Sequence, residues 1–341
     1  MTEVVRLLSE TVPPPSPPDV VQSTLPWTEL IVVLSVLYLV SMVAVVAGAC
    51  FCRARRNSQM GSLEDGITAR MDEPQPSIFT RRKIDRANSW SQQAQQTGGG
   101  GMDLASIERS IKLGFIRKVY TILATQLALT VAIVMGTIYM SFETLPNGTP
   151  DAATMTAFGR GVVQNYLIVV LLCFIPLIAC LCVLNSMKNQ YPHNFLLLLV
   201  FTIIESITLG MMCVIFYAGG YGSEILLAFG ITLAIFCVLT LFTMQSKIDW
   251  SFLGPAIFCC LFILIFWSFF QFILAPAASF TFRKLFSLFG AIIFCLFIIY
   301  DTNNIMKHFG VDDYIIAAIE LYLDVINLFR YLLLLLAFSR D

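Results

Sequence analysis

Charged side chains are scarce in this chain of 341 residues, and their scarcity excludes the soluble classes of protein. Asp, Glu, Lys and Arg make up 13% of the sequence, whereas hydrophobic residues make up 57% and the mean hydropathy is +0.80. A soluble domain of this length cannot bury so much apolar surface. The sequence therefore predicts an integral membrane protein, and its formal net charge of −1 gives no indication of a nucleic-acid partner.

The cysteines have neither the pattern of a disulfide-bonded protein nor the spacing of metal ligands. The ten Cys residues lie in or beside apolar runs, which is typical of small hydrophobic residues in a helix bundle rather than of a disulfide framework. Cys180 and Cys182 have no His or Cys partner at the spacing of a metal site, and we expect no cofactor. Cys50 and Cys52 end an apolar run beside several arginines, a position that makes palmitoylation one hypothesis.

A cleavable signal peptide is not evident. Residues 1–26 are rich in Pro and have no apolar core, so we predict a tail on the lumenal or extracellular side. The Pro-rich stretch is either a spacer or a ligand for a partner protein. The apolar run at 27–52 is too long for a signal sequence and predicts a transmembrane helix instead.

Eight apolar runs are long enough to cross a bilayer, which takes about 20 helical residues. They lie at 27–52, 119–141, 165–185, 195–217, 225–244, 252–273, 285–306 and 314–337. The connections after residue 119 are short, apart from the loop at 142–164, so neighbouring helices should pack antiparallel. The predicted fold is an all-α integral membrane protein, in which one extra N-terminal helix precedes a seven-helix domain at 112–341.

A polar and basic segment at 53–111 separates the extra helix from the rest. It contains QQAQQTGGGG and few apolar side chains, so we predict a disordered linker. Twelve of the 21 Lys and Arg residues lie between positions 53 and 118, and the positive-inside rule places this linker in the cytoplasm. Alternation then puts the C-terminus on the opposite side, unless the last span is re-entrant. Asn147 begins a sequon on that opposite side, although the Pro that follows the sequon should lower its glycosylation.

Four acidic residues lie inside predicted spans: Glu205, Asp301, Glu320 and Asp324. With a rise of 1.5 Å per residue, their depths from the cytoplasmic side are roughly 8 Å for Asp301, 9 Å for Glu320 and 15 Å for Asp324 and Glu205. A carboxylate at mid-membrane depth costs roughly 2.5–3.5 kcal/mol. These acids should therefore turn inward and share the inner half of the bundle.

Helical spacing groups the acids with other polar side chains. The stripes are Glu320–Asp324–Asn327, Asp301–Asn304–His308 and Thr202–Glu205–Thr208. One reading is that they hold helices together as hydrogen-bonded packing residues. The other is chemical: two carboxylates in a dry site cannot both ionise cheaply, so one keeps a proton and the pair titrates as a unit. Deprotonation would then create repulsion or attract a cation such as Ca²⁺, which prefers oxygen ligands.

Arg330 is the candidate counter-charge in the last span. It lies six residues after Asp324, near the edge of the acidic stripe rather than on its face. The alternative is that its long side chain extends to the outer surface of the membrane. The sequence leaves both open.

Four segments in order carry a resemblance to a known family. They are GFIRKVY at 114–120, ESITLG at 205–210, YDTNNIM at 300–306 and DYIIAAIELYLDVINLF at 313–329. Over roughly residues 107–338 the chain resembles the transmembrane Bax inhibitor motif family, nearest its lifeguard branch. Glu320 departs from the family pattern, since a neutral polar residue is usual there, and it adds a third acid near the pair.

The resemblance implies a seven-helix bundle with its last helix in the middle, in membranes of the endoplasmic reticulum or Golgi, or alternatively the plasma membrane. It implies a pH-sensitive Ca²⁺ leak that protects against apoptosis, with Ca²⁺ and protons as ligands and membrane proteins of apoptosis as partners. The family's paired aspartates map onto Asp301 and Asp324, and its acidic residue in the third bundle helix maps onto Glu205.

Two other functional classes compete with a leak. A membrane adaptor that moves no ions, acting through partner proteins, is compatible with every residue. An intramembrane aspartyl protease would use two acids that share a proton. However, Asp324 lies in LYLD rather than in a Gly-Leu-Gly-Asp setting, and no Pro-Ala-Leu element follows. We therefore expect no enzymatic activity.

Overall fold

The computed structural model describes residues 104–146, 148–187, 191–274, 280–310 and 313–340. The predicted tail, the extra helix at 27–52, Cys50, Cys52, Asn147 and most of the linker lie outside these residues. The described helices are α1 Leu104–Ser141, α2 Ala157–Gln164, α3 Tyr166–Met187, α4 His193–Ala218, α5 Gly222–Gln245, α6 Leu253–Leu274, α7 Phe280–Lys307 and α8 Tyr314–Arg340. Strands β1 Phe142–Thr144 and β2 Pro150–Met155 follow α1, and a 3₁₀ turn at Trp250–Phe252 precedes α6.

The beginning of α1 differs from the prediction. The helix starts at Leu104, so residues 104–111 continue it rather than ending a disordered linker. The stretch from Leu104 to Leu113 contains neither Pro nor Gly and consists mainly of good helix formers. A helix that is already formed in the membrane extends readily into such a sequence, because propagation is easier than nucleation.

The long loop at 142–164 is ordered. Strands β1 and β2 pair antiparallel, with Phe142 opposite Met155 and Thr144 opposite Pro150, and form a short hairpin in an otherwise α-helical fold. Thr156 then caps α2 by accepting a hydrogen bond from the Gly159 N–H at 3.2 Å.

This hairpin is tied to the ends of the long helices. Tyr217, near the end of α4, donates a hydrogen bond to the Pro150 carbonyl at 2.8 Å, and its ring packs against Phe142. The end of the bundle that carries the hairpin is called the hairpin end below.

Six helical segments among the described residues are long and apolar enough to cross a membrane. They are Arg109–Ser141, His193–Ala218, Gly222–Gln245, Trp250–Trp267, Thr281–Lys307 and Tyr314–Arg340. Each coincides with a predicted span. Helix α3 matches the remaining predicted span of the domain with 22 residues, of which Ile175–Leu184 forms a shorter apolar stretch.

Helix α8 forms the centre of the bundle. Of its most apolar 18-residue window 89% is buried, compared with 28% for α5 and 17% for the segment that contains α6. A central last helix is what the family resemblance implies, and the structure confirms it. Because α8 is surrounded by protein, its polar side chains face other helices rather than lipid.

Helix α8 also runs the whole length of the bundle. At its C-terminus Arg340 donates hydrogen bonds to the Gly220 carbonyl and to Glu224 Oε1, each at 3.0 Å, at the turn between α4 and α5. The loop before α8 lies at the other end, where Lys307 reaches the turn between α5 and α6. Since α5 connects these two turns, α8 extends along the same length of the bundle as α5. The end opposite the hairpin is called the Asp249 end, after the residue in the α5–α6 turn.

Candidate functional site

Polar side chains gather in the interior around α8. The buried ones on α4, α7 and α8 include Thr202, Glu205, Ser206, Thr208, Asp301, Thr302, Asn303, Asp324, Asn327 and Arg330. Such a set inside an apolar bundle is expensive unless its members pair with one another. The structure divides the predicted acids among them into two groups.

The first group is the acid pair of Asp301 on α7 and Asp324 on α8. Asp301 is 5% exposed and Asp324 is 0% exposed, and their carboxyl groups are neighbours across the contact of α7 with α8. Among the described residues, no N–H or O–H group of another side chain or of the backbone donates to either oxygen of Asp324. A hydrogen bond between two carboxyl groups needs a proton on one of them, so this geometry suits a pair that shares a proton.

Glu320 lies one turn before Asp324 on α8. It is half-buried, and its charge is close enough to act on Asp324. The third acid that the sequence places near the pair is therefore near it in space as well. Its carboxylate makes the full ionisation of the pair still more costly, because like charges repel.

The second group is an ion pair between Glu205 of α4 and Arg330 of α8. Arg330 Nη2 lies 2.5 Å from Glu205 Oε1, and both side chains are almost fully buried. Arg330 Nη1 also donates to Asn327 Oδ1 at 3.2 Å. Arg330 thus stays inside the bundle instead of extending to the surface, and Glu205 is the partner of its positive charge.

The depths of these residues, counted along their helices, do not separate the two groups. Glu205 and Asp324 have similar depths by residue count, yet Glu205 contacts Arg330, which lies six residues beyond Asp324, or about 9 Å further along α8. The lengths of the Glu and Arg side chains bridge this difference. The interior therefore contains a carboxyl pair nearer the Asp249 end and a neutral ion pair nearer the hairpin end.

A hydrogen-bonded ladder joins α1, α4 and α8, and Thr202 is its only member that the predicted polar stripes include. Gln126 donates to Thr202 Oγ1 at 3.0 Å, Ser206 donates to Thr130 Oγ1 at 2.9 Å, and Thr130 Oγ1 lies 2.9 Å from Tyr322 Oη. A signal was available, because Gln126 and Thr130 are four residues apart in an apolar helix, as are Thr202 and Ser206. Polar residues at that spacing share one helix face.

A resident metal centre is not indicated by the described residues. No group of three or more His, Cys, Asp or Glu side chains among them converges on one point. A Ca²⁺ ion between Asp301 and Asp324 would be held by two carboxylates and its own water, which suits a passing ion better than a structural one. The cysteines that the structure describes are free thiols.

Comparison with known proteins identifies the family. A family model described as "Inhibitor of apoptosis-promoting Bax1" matches residues 113–341. The chain is 35% identical to the Golgi anti-apoptotic protein of Vaccinia virus (strain Lister) over 240 residues, or 70% of this chain and 91% of the viral protein. It is 37% identical to Protein LIFEGUARD 3 of Arabidopsis thaliana over 229 residues, or 66% of this chain and 85% of that protein.

An animal relative matches a similar share of the chain. Protein lifeguard 4 of Mus musculus is 33% identical over 234 residues, or 68% of this chain and 88% of the mouse protein. The family match covers well over half of the chain and includes both the acid pair and the buried ion pair. The chain therefore belongs to the transmembrane Bax inhibitor motif family and is similar to its lifeguard members.

Proposed function

We propose that this protein is a pH-sensitive, Ca²⁺-permeable leak channel or transporter that limits apoptosis and has no enzymatic activity. The observation that carries the proposal is the contact between two buried carboxyl groups on different helices, Asp301 of α7 and Asp324 of α8. When the shared proton leaves such a pair, both carboxyl groups are negatively charged. The repulsion between them then acts on α7 and α8.

The direction of the pH effect follows from the charges. At low pH the pair keeps its shared proton, the two carboxyl groups tolerate each other, and α7 stays packed against α8. As the pH rises the proton is lost, and the two negative charges either repel each other or bind a cation. Ca²⁺ flux should therefore be inhibited by protons and should increase as the pair ionises.

The buried ion pair joins the central helix α8 to α4. Glu205 and Arg330 join α4 to α8 in the interior, and their opposite charges cancel. Breaking such a buried pair is costly, about 3–5 kcal/mol for loss of one partner. The ion pair therefore ties α8 to α4 at one point of the interior, while the acid pair lies between α7 and α8.

The burial of the acid pair argues against a protease function. An aspartyl protease needs a water molecule and a peptide bond to reach both acids. Asp324 is 0% exposed and is enclosed by helices on all sides. A small hydrated ion that enters during helix movement is more compatible with this setting than a polypeptide substrate.

The cellular role in the proposal comes from the relatives. The viral relative is named a Golgi anti-apoptotic protein, and the family model is described as an inhibitor of apoptosis-promoting Bax1. We therefore place this protein in the Golgi or the endoplasmic reticulum, where Ca²⁺ loss from the lumen would act on cell death. Membrane proteins that regulate apoptosis are the expected partners.

The test is Ca²⁺ flux from liposomes that contain only the purified full-length chain, measured from pH 5 to 8. We expect flux that is inhibited by acid, and we expect Asp324→Asn to change its pH dependence. Thr232→Val serves as the matched control, since it removes a buried polar group from α5, at a distance from the acid pair. If the wild type moves no ions while still protecting cells, the adaptor function replaces the leak. An unchanged pH profile in Asp324→Asn would contradict the role of the pair.

A further inference from the structure

A second polar cluster lies at the Asp249 end, outside the acid pair. Asp249, in the turn between α5 and α6, accepts hydrogen bonds at Oδ1 from the Ser251 N–H at 3.2 Å and the Ser251 hydroxyl at 2.7 Å. Asn303, in the last turns of α7, donates its Nδ2 to the same oxygen at 3.0 Å and to Ser251 Oγ at 3.3 Å. Asp249, Ser251 and Asn303 together are called the Asp249 clamp.

Two further side chains, Lys307 at the end of α7 and His308 directly after it, lie beside the same carboxylate. Lys307 Nζ lies 3.7 Å from Asp249 Oδ1 and donates to the Ile248 carbonyl at 2.8 Å. His308 Nε2 lies 3.9 Å from the same carboxylate. The clamp thus joins one loop carboxylate to the whole C-terminal end of α7.

The charge of Asp249 is constant over the physiological pH range. Hydrogen bonds from Ser251 and then Asn303, together with the charge of Lys307, hold the pKa of the Asp249 carboxyl well below its usual range. The clamp therefore keeps its negative charge at every pH at which a membrane channel would operate. It is a fixed attachment and does not itself switch.

Helix α7 is held on both sides of Asp301, by the clamp after it and by the start of α6 before it. Asn303 is two residues after Asp301 and is 2% exposed. Tyr300, one residue before Asp301, packs so closely on the start of α6 that a Cβ on Gly254 would lie 2.9 Å from Tyr300 Oη. The turn between α5 and α6 thus contacts α7 at Asn303, and the start of α6 contacts it at Tyr300, while Asp301 faces α8.

We infer that Asp249 is a positioning residue, which holds the end of α7 through Asn303 and so sets the separation of the Asp301 and Asp324 carboxyl groups. This inference rests on the proposed function and adds a residue to it. The α5–α6 turn resists the repulsion that appears when the acid pair ionises. A weaker clamp would allow α7 to move away from α8 more easily.

A catalytic reading of the same cluster does not fit its geometry. Ser251 Oγ lies 2.7 Å from His308 Nε2, and an Asp is close by. In a catalytic triad the Asp contacts the ring nitrogen that the Ser does not use. Here Asp249 faces the same Nε2 atom as Ser251 and bonds the Ser directly, so the arrangement is a structural contact.

Several polar and charged side chains lie beside the acid pair and the clamp and have to stay unchanged in the test variants. Glu320 is the further charge beside Asp324 on α8, and Asn304 lies beside Asp301 on α7. Lys307 and His308 are the neighbours of Asp249 at the end of α7. Variants are therefore chosen at Asp249 and Asn303, which leave all of these side chains in place.

The experiment compares Asp249→Ala and Asn303→Ala with wild type in the full-length chain reconstituted in liposomes. One readout is the pH midpoint of Ca²⁺ flux. The other is the infrared C=O band of protonated carboxyl groups, assigned to the acid pair by its loss in Asp301→Asn and Asp324→Asn. If two unit charges move about 1 Å further apart at an effective dielectric constant of about 20, their repulsion weakens. The change in repulsion energy corresponds to a shift of about half a pH unit in the titration midpoint.

We expect both variants to shift the midpoint toward acid by about half a pH unit or more, because a freer α7 relieves repulsion and makes ionisation easier. Asp249→Asn keeps an oxygen that accepts from Ser251 and Asn303, so it should restore most of the wild-type midpoint. The matched control is Glu224→Ala, which removes a loop carboxylate that pairs with Arg340 at the hairpin end and should leave the midpoint unchanged.

The outcomes separate the two proposals. If the wild type carries no Ca²⁺ at any pH, the proposed function fails, and the infrared titration still decides the positioning role. An unchanged or alkaline-shifted infrared midpoint in folded Asn303→Ala and Asp249→Ala would overturn it, as would an equal shift in Glu224→Ala. If Asp249→Ala does not fold, the test uses Asn303→Ala, which should shift the midpoint, and Asp249→Asn, which should stay close to wild type.

Discussion

Arg330 of α8 and Glu205 of α4 form an ion pair inside the helix bundle, with Nη2 2.5 Å from Oε1 and both side chains almost fully buried. The pair joins the central helix to a neighbour at a depth where neither charge meets water. A buried pair contributes little net stability when it is compared with apolar residues, but the loss of one partner leaves the other charge uncompensated. Its two members should therefore behave very differently when they are replaced singly and together.

The first prediction concerns this pair. Arg330→Met should destabilise the protein by about 3–5 kcal/mol, because it leaves the Glu205 carboxylate buried without a cation. The double variant Glu205→Gln with Arg330→Met should recover much of that loss, since no charge remains. The free energy of unfolding in detergent, measured for both single variants and the double variant, gives the coupling energy.

The exposed ion pair at the hairpin end is the control. Arg340→Ala removes a half-exposed partner of Glu224, and exposed pairs contribute about 0.2–1 kcal/mol. Equal losses for Arg330→Met and Arg340→Ala would contradict the importance of burial.

The second prediction concerns the contact between α7 and α8. Gly290 of α7 lies against the Tyr331 ring, and a Cβ added there would meet ring atoms at 2.3 Å. Gly290→Ala should therefore push the two helices apart and cost about 1–3 kcal/mol as overpacking. The same displacement should alter the pH midpoint of Ca²⁺ flux, since these two helices carry the acid pair.

Gly230 of α5 provides a matched substitution. A Cβ at that position meets nothing within 4 Å, so Gly230→Ala should stabilise its helix by about 0.5–1 kcal/mol. Thermal unfolding of both variants checks the prediction. Destabilisation by Gly230→Ala, or none by Gly290→Ala, would mean that the contact of α7 with α8 is looser than the structure indicates.

The helices of the domain could be predicted because the membrane imposes a length and a composition on each of them. Helix α8, for example, runs from Tyr314 to Arg340, close to the predicted 314–337. The apolar runs could not reveal the start of α1 at Leu104, because polar and charged residues interrupt the apolar ones before the run begins. They also could not reveal the hairpin, although Asn147-Gly148 is a strong hairpin signal, and Gly148 adopts φ +80° there.

The site was predictable as a set of residues but not as a set of contacts. Periodicity gives the face of a helix and residue count gives a depth, which together brought Asp301 and Asp324 to one region. Neither quantity gives the neighbouring helix, so the pairing of Glu205 with Arg330 could not be derived. Asp249 lies in a turn outside every apolar run, where no depth argument applies.

The third prediction concerns the ladder between α1, α4 and α8. Thr130 joins Ser206 and Tyr322 through one hydroxyl group. Thr130→Val keeps the shape of the side chain but leaves these two hydroxyl groups without that partner, which should cost about 1–3 kcal/mol. Thr232→Val is the control, since the Thr232 hydroxyl donates to a carbonyl of its own helix one turn earlier. Unfolding in denaturant should show a clear loss for Thr130→Val and almost none for Thr232→Val.

The last prediction concerns the pH dependence of stability at Asp249. Its folded pKa lies well below the usual range because Ser251 and Asn303 donate hydrogen bonds to the ionised carboxylate. A depressed folded pKa stabilises the protein at pH values above the unfolded pKa, which is about 3.9 for Asp, and that stabilisation is lost as the pH falls toward the folded value. Wild type should therefore be more stable than Asp249→Asn at pH 7, and the difference between them should shrink below about pH 4. Thermal unfolding of both proteins from pH 3 to 7 measures this difference. A gap that stays constant over the whole range would mean that the hydrogen bonds to Asp249 do not depend on its charge, and the clamp would then act through shape alone.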